Sequence, residues 1–70
     1  MSKSKEVTFQ MFINAIEVPL NGAERTSRLR ALERGEREAR RQRSVTIAEQ
    51  HGNEPPYTLA SWVDGEKSTG

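Results

Sequence analysis

The sequence predicts a small, mainly α-helical domain built around one long, arginine-rich helix. From residue 22 to about residue 43 the chain is rich in glutamate, arginine, alanine and leucine, all of which favour helix. Several glutamates also stand four residues before an arginine, a spacing that stabilises a helix by about 0.2–0.5 kcal/mol per pair. These pairs are Glu24–Arg28, Glu33–Arg37 and Glu36–Arg40. A corner of two short helices is expected to follow this central helix.

The first element, over residues 7–18, is open to two interpretations. A period of two places the apolar residues on one face of a strand, although Phe12 then falls on the wrong face. The alternating residues are Val7, Phe9, Met11 and Ile13. Helical spacing instead makes one apolar stripe, ended by Pro19. That stripe consists of Phe9, Phe12, Ile13 and Ile16. We expect a helix, with a strand as the alternative.

The central helix has a clear start and one weak point. Asn21 and Gly22 form a turn, and Asn21 is a suitable N-cap with Glu24 three residues later, as in a capping box. Gly35 interrupts the helical composition at a cost of about 1 kcal/mol relative to alanine. The helix is therefore expected to begin after Asn21.

A helical wheel separates the central helix into two faces. Leu29, Leu32 and Ala39 line one side, which is expected to pack on the core or on a second copy. The other side carries arginines, and all eight arginines of the chain lie between residues 25 and 43. Arginine is preferred where phosphate or carboxylate groups are bound in a bidentate manner. The predicted partner-binding residues are Arg30, Arg34, Arg37, Arg40, Arg41 and Arg43.

The length and composition indicate one small domain at residues 7–63, flanked by polar tails at residues 1–6 and 64–70. The chain has no cysteine, so neither a disulfide nor a thiolate metal site can stabilise it. No segment approaches the roughly 20 apolar residues of a membrane span. We expect a cytoplasmic protein of marginal stability.

Catalytic chemistry is not predicted. His51 is the only histidine and is expected to meet carbonyl groups at a helix end. Asp64 is the only aspartate, and the glutamates lie among arginines that favour their charged form. No glycine-rich phosphate loop is present. The expected protein is not an enzyme and has no catalytic residue, metal ion or cofactor.

The carboxy-terminal third resembles the helix-turn-helix of phage and bacterial repressors. The resemblance is carried by Ala48, Gly52, Leu59 and Trp62. Asn53 departs from the pattern, because an apolar residue normally follows the turn glycine, and Leu59 and Trp62 each come one position late. The favoured interpretation is a helix-turn-helix-like corner that packs Tyr57, Leu59 and Trp62 into the core. A DNA-reading motif is the alternative.

Residues 37–43, REARRQR, resemble the arginine-rich RNA-binding helices of lambdoid phage antitermination proteins. In size, lack of cysteine and arginine-rich helix, the chain also resembles small phage-encoded transcription regulators that bind host RNA polymerase. These are of the inhibitor and antiterminator type, as in a Xanthomonas phage. The resemblance implies RNA polymerase as the partner, in the host cytoplasm. The alternatives are a DNA-binding repressor or excisionase-like protein and an RNA-binding antiterminator, with the oligomeric state open.

Overall fold

The computed structural model describes residues 6–68, which form a five-stranded antiparallel sheet with two helices packed on one face. The strands are β1 (Val7–Ile13), β2 (Ile16–Val18), β3 (Ser44–His51), β4 (Tyr57–Val63) and β5 (Glu66–Ser68). The helices are α1 (Gly22–Thr26) and α2 (Arg28–Ala39). The strand order is β2-β1-β3-β4-β5. The predicted mainly α-helical fold is therefore wrong.

The first element is a strand, so the favoured helical interpretation of residues 7–18 is wrong as well. β1 pairs with β3 along its whole length, from Val7 opposite His51 to Ile13 opposite Val45. Phe9 and Met11 are buried beneath the helices. Phe12, the residue that broke the period of two, points to the face without helices and is only half-buried. The alternation of side chains along the strand thus describes residues 7–13 correctly.

The helix-turn-helix-like corner is replaced by the β3–β4 hairpin. Ala48 lies in β3, and Gly52 lies in the connecting turn with φ +58°. Leu59 and Trp62 both lie in β4. Val45 and Ile47 face the helices from β3, with period two, and Ala60 and Trp62 do so from β4. The period of two indicates strands, because alternate side chains of each segment pack against the helices.

The predicted central helix is two helices. The expected capping box is confirmed: the Glu24 N–H donates to the Asn21 side chain, and the Asn21 N–H donates to the Glu24 carboxylate. The helix then breaks at Ser27, whose backbone is extended (φ −123°, ψ 120°) and whose hydroxyl accepts from the Arg30 N–H as the cap of α2. The break lets α1 fold back against α2.

The buried face of α2 also differs from the predicted one. It consists of Ala31, Gly35, Glu38 and Ala39. Leu29 is 65% exposed, and Leu32 is only partly buried against the core. The helix turns its small residues inward because it lies close to the sheet, over Trp62 and Ile47. The prediction that Leu29, Leu32 and Ala39 form the packed side of the helix is therefore wrong for Leu29.

The core lies between the helices and the sheet. Met11, Val45 and Ile47 are fully buried, and Trp62 is buried as predicted. Tyr57, which was also expected in the core, is half exposed. Within residues 6–68, neither helix is long and apolar enough to cross a membrane.

Two-residue turns close the outer hairpins. Asp64 and Gly65 join β4 to β5 with φ +52° and +85°. β5 therefore lies in the stretch that was assigned to the carboxy-terminal tail, while residues 1–5 and 69–70 of the two tails lie outside the described residues. Asn14 and Ala15 join β1 to β2 with φ +52° and +69°. Alanine thus stands where hairpin turns of this type prefer glycine.

Replacing Ala15 with glycine is expected to raise the free energy of unfolding by about 0.5–1 kcal/mol. The left-handed backbone at this position costs a residue with a Cβ about 1–2 kcal/mol, part of which glycine loses again through its freedom in the unfolded chain. Urea denaturation measures the change. Ala23→Gly, at an exposed position of α1, is the control and is expected to destabilise the protein. Equal destabilisation by both changes would contradict the prediction.

Candidate functional site

The last turn of α2 and the loop after it carry four of the predicted contact residues. The loop is tied back to the helix, because the Arg41 and Gln42 N–H groups donate to the Glu38 carbonyl at 2.9 and 2.8 Å. The Arg40 N–H donates to the Arg37 carbonyl at 3.3 Å. This end of a helix favours cationic side chains, since its unpaired carbonyls carry partial negative charge. The local backbone therefore holds a group of arginines in one place.

These side chains extend into solvent. The exposed fractions are 69% for Arg37, 72% for Arg41 and 81% for Arg43, and Arg40 is exposed too. Their ion pairs are long: Arg37 to Glu24 and Arg41 to Glu38 are both 3.8 Å, beyond hydrogen-bonding distance. At this distance, and with the guanidinium groups in solvent, the two pairs contribute little to stability. We call Arg37, Arg40, Arg41 and Arg43 the arginine surface.

An open depression of about 630 Å³ lies where the loop after α2 meets the β4–β5 turn. Arg40, Arg41 and Arg43 line one side, with Asp64 and Gly65 on the other. The Arg43 Nε lies 3.4 Å from Asp64 Oδ1, and both side chains are largely exposed. A phosphate or carboxylate group of a partner could therefore displace Asp64 at little cost.

Arg34 differs from the other predicted contact residues because it is used inside the protein. Its Nη1 donates to Glu24 Oε1 at 2.9 Å, and its Nε donates to Glu38 Oε2 at 3.0 Å. The side chain is only 23% exposed, and the two carboxylates are about nine-tenths buried. Arg34 thus joins α1 to α2. It also occupies both glutamates, which leaves Arg37 and Arg41 weakly paired.

Arg30 completes the predicted set but lies apart from the arginine surface. It is exposed in the first turn of α2. Seven residues separate it from Arg37, which corresponds to about 10 Å along the helix axis. Of the six predicted contact residues, four therefore share one surface, one lies about 10 Å away on the same helix, and one is internal.

A second polar cluster lies at the other end of the sheet and was not predicted. Glu49 is buried on the helix-facing side of β3, where its carboxylate accepts hydrogen bonds from Arg28 Nη2 at 3.0 Å and from His51 Nε2 at 2.6 Å. Tyr57 stacks on the His51 ring with centroids 5.9 Å apart. His51 therefore meets a carboxylate in a strand, and its expected position at a helix end is wrong. The sequence did indicate that Glu49 is buried, because Glu49 follows Val45 and Ile47 at a spacing of two and so lies on the same face of the strand.

The surroundings of Glu49 keep it ionised. Burial by itself raises the pKa of this carboxyl, but hydrogen bonds from His51, Arg28 and Tyr57 and the charge of Arg28 outweigh it, so the pKa lies below its ordinary value of 4.5. Desolvation and the Glu49 carboxylate raise the pKa of the Tyr57 hydroxyl. Because Glu49 is charged, the proton on His51 Nε2 points toward it.

Folding stability should consequently depend on Glu49 in acid. A carboxyl whose pKa is lower in the folded than in the unfolded protein stabilises the fold above about pH 4.5, and the contribution is lost as the pH falls below that value. Denaturation of the natural protein and of Glu49→Gln from about pH 6 to about pH 3 measures this. We expect the natural protein to be more stable at pH 6, with the difference shrinking in acid. A difference independent of pH would contradict the assignment.

Within residues 6–68, no cluster of three or more histidine, cysteine, aspartate or glutamate side chains is placed to hold a metal ion. Comparison of the chain with protein-family models, with curated proteins and with solved structures finds no match in any of the three. The chemistry of the arginine surface must therefore carry the functional proposal.

Proposed function

We propose that this chain is a non-enzymatic binding protein that regulates transcription by docking the arginine surface on bacterial RNA polymerase. Its resemblance to small phage regulators supplies the partner, with inhibition of initiation or antitermination as the outcome and the host cytoplasm as the location. The supporting observation is that Arg37, Arg40, Arg41 and Arg43 lie together, exposed and weakly paired.

Arginine is among the residue types that dominate binding energy at protein interfaces. Its guanidinium forms two parallel hydrogen bonds to a carboxylate, which suits an acidic patch on a large protein partner. Glu33 and Glu36 are exposed on the same helix, and such acidic neighbours lower the attraction to the phosphate backbone of arbitrary nucleic acids. These features favour a protein partner.

RNA is the second candidate. The same four arginines occur within seven residues, and their resemblance to arginine-rich antitermination helices fits contact with a structured RNA. DNA recognition by a helix-turn-helix is not proposed, because the residues of that pattern lie in the β3–β4 hairpin.

Binding of matched variants to three partners tests the proposal. The purified protein is titrated against bacterial core RNA polymerase, duplex DNA and a structured RNA over a range of salt concentrations. Arg40→Ala with Arg43→Ala removes two charges from the arginine surface. Arg30→Glu lowers the net charge by the same two units at an exposed position elsewhere on α2, and both variants keep Arg34 so that the fold is preserved.

We expect tight binding to the polymerase alone, at least tenfold weaker for the Arg40/Arg43 variant and nearly unchanged for the Arg30→Glu variant. Equal losses for the two variants would show that only net charge matters and would contradict the proposed surface. Binding to RNA alone, with a salt slope that decreases by about 2 on removal of Arg40 and Arg43, would favour the second candidate.

A further inference from the structure

One edge of the sheet is open over half the length of β1. β2 pairs with β1 only at Met11, Phe12 and Ile13, whereas β3 pairs with it from Val7 to Ile13. Pro19 follows β2 directly and has no N–H to continue the ladder. The outer side of β1 from Val7 to Gln10 therefore has no neighbouring strand within residues 6–68.

The backbone groups at this edge point outward. The Asn14 N–H donates to the Ser44 carbonyl, and the Glu6 carbonyl accepts from the Gly52 N–H, so the even-numbered residues of β1 face β3. In an antiparallel ladder the next residue faces the opposite side. The N–H and C=O groups of Val7 and Phe9 thus face the open edge.

A groove of about 370 Å³ runs along this edge, within the size range of ligand sites. It lies between β1 and the segment that leads into α1. Its lining includes Thr8, Phe9, Gln10, Glu17, Leu20 and Arg25. At about 3.4 Å per residue, the open edge from Val7 to Gln10 accommodates three to four residues of an added strand.

The opposite edge of the sheet lacks this regularity. β5 covers β4 only at Ser61–Val63, but the uncovered part of β4 follows Pro55 and Pro56 and contains a register shift opposite Ile47 and Ala48. Prolines and bulges are common means of preventing strand addition. β1 between Val7 and Gln10 has neither, since its pairing with β3 is continuous.

We propose that the outer edge of β1 from Val7 to Gln10 is a docking site for an extended acidic segment of a protein partner, which joins the sheet as a strand in line with β2. Arg25 lines the groove and is exposed. Glu17 lines the same groove, but within residues 6–68 neither Glu17 nor any other carboxylate forms an ion pair with Arg25. An acidic side chain on the added strand supplies the missing partner.

A second copy of this chain fits the edge less well. In each copy β2 occupies the same edge beside Met11–Ile13, so two β1 strands could pair only over a short overlap around Thr8. A single extended segment has no such restriction. None of the residues that line this groove belongs to the arginine surface, and the argument for the edge does not use that surface, so this proposal is independent of the proposed function.

Two display libraries of linear heptapeptides, identical except for a fixed central glutamate or lysine, test the proposal. We expect the full chain to enrich peptides from the glutamate library. Binding of a selected peptide should slow hydrogen exchange of the Phe9 N–H, because that group becomes hydrogen-bonded. Arg25→Glu should reverse the preference between the libraries.

Val7→Pro is the decisive variant. It removes an N–H that faces the open edge and none that faces β3, and proline is tolerated at the first residue of an edge strand. Val7→Ala, which keeps the N–H, is its control. Circular dichroism checks that both variants fold. We expect peptide affinity to fall at least tenfold for Val7→Pro and little for Val7→Ala.

Three results would overturn the proposal. One is the absence of enrichment from either library. Another is peptide binding that a folded Val7→Pro variant leaves unchanged. The third is a doubled mass of the natural protein in light scattering that Val7→Pro abolishes, because the edge would then serve a second copy.

Discussion

Replacing Gly35 with alanine is expected to destabilise the protein by about 2 kcal/mol, although the same change in an exposed helix stabilises by about 1 kcal/mol. A Cβ at this position would lie 2.7 Å from the Trp62 ring and 2.8 Å from Ile47 Cγ1. Both side chains are buried and cannot move aside cheaply. Crowding of this kind costs about 1–3 kcal/mol, and we expect about 3 kcal/mol because the Cβ would clash with two side chains. Subtracting the gain of about 1 kcal/mol in helix propensity leaves a net loss of about 2 kcal/mol.

Thermal denaturation measures this effect, and a loss of about 2 kcal/mol corresponds to a melting temperature lower by about 8–16 °C. Gly22→Ala is the matched control, because Gly22 begins α1 and a Cβ there meets nothing within 4 Å. It is expected to leave stability unchanged or slightly raised. A stabilised Gly35→Ala variant would mean that α2 leaves room for a Cβ beside Trp62.

Replacing Arg34 with alanine is expected to cost about 2–3 kcal/mol, far more than replacing the exposed Arg30 of the same helix. The change leaves the Glu24 and Glu38 carboxylates, each about nine-tenths buried, without their short hydrogen bonds from a guanidinium. Breaking a fully buried pair costs about 3–5 kcal/mol. The estimate is lower here because Arg34 is 23% exposed and Arg37 and Arg41 remain 3.8 Å from the two carboxylates.

Urea denaturation of Arg34→Ala, Arg34→Lys and Arg30→Ala distinguishes the effect of the Arg34 charge from that of its hydrogen-bond geometry. Arg30→Ala, at an exposed position of α2, should change stability by less than about 0.5 kcal/mol. Arg34→Lys keeps the charge but cannot present two parallel donors to two carboxylates, so it should recover only part of the loss. If Arg34→Ala were as mild as Arg30→Ala, the contact between α1 and α2 would not depend on this cluster.

The Arg34 result also bears on how the binding surface can be tested. A variant that removes all six predicted contact arginines would disturb the fold through Arg34, and its loss of binding would carry no information. Substitutions restricted to Arg40 and Arg43 avoid this, because within residues 6–68 the ion pair between Arg43 and the exposed Asp64 is the one that they break. The distinction between Arg34 and its neighbours is invisible on a helical wheel.

Local patterns in the sequence predicted several elements correctly. Asn21 and Glu24 predicted the capping box, since both partners lie within one turn of helix. Trp62 was expected in the core and is buried there. The helical composition around residues 28–39 also predicted α2, apart from its break with α1 at Ser27. Each of these features depends on residues that are close in the chain or on the large apolar area of one side chain.

The strands were missed because their partners are distant in sequence. Residues 7–13 fit a helical stripe almost as well as an alternating one, and only pairing with β3, about forty positions later, decides between them. In the same way, the spacing of Ala48, Gly52, Leu59 and Trp62 fits a corner of two helices, and only the pairing of β3 with β4 excludes it. Short apolar runs do not distinguish a strand from a helix by periodicity alone.

The confinement of every arginine to residues 25–43 and the absence of cysteine are properties of the chain alone. Which arginines are available to a partner is a property of the folded protein. Ser27 interrupts the helix, α1 turns back, and Glu24 reaches Arg34 across ten residues. Arg34 is therefore not available to a partner, because its guanidinium reaches the buried carboxylates with short, aligned hydrogen bonds. The side chains that do not reach a carboxylate in this way stay exposed; they are Arg37, Arg40, Arg41 and Arg43.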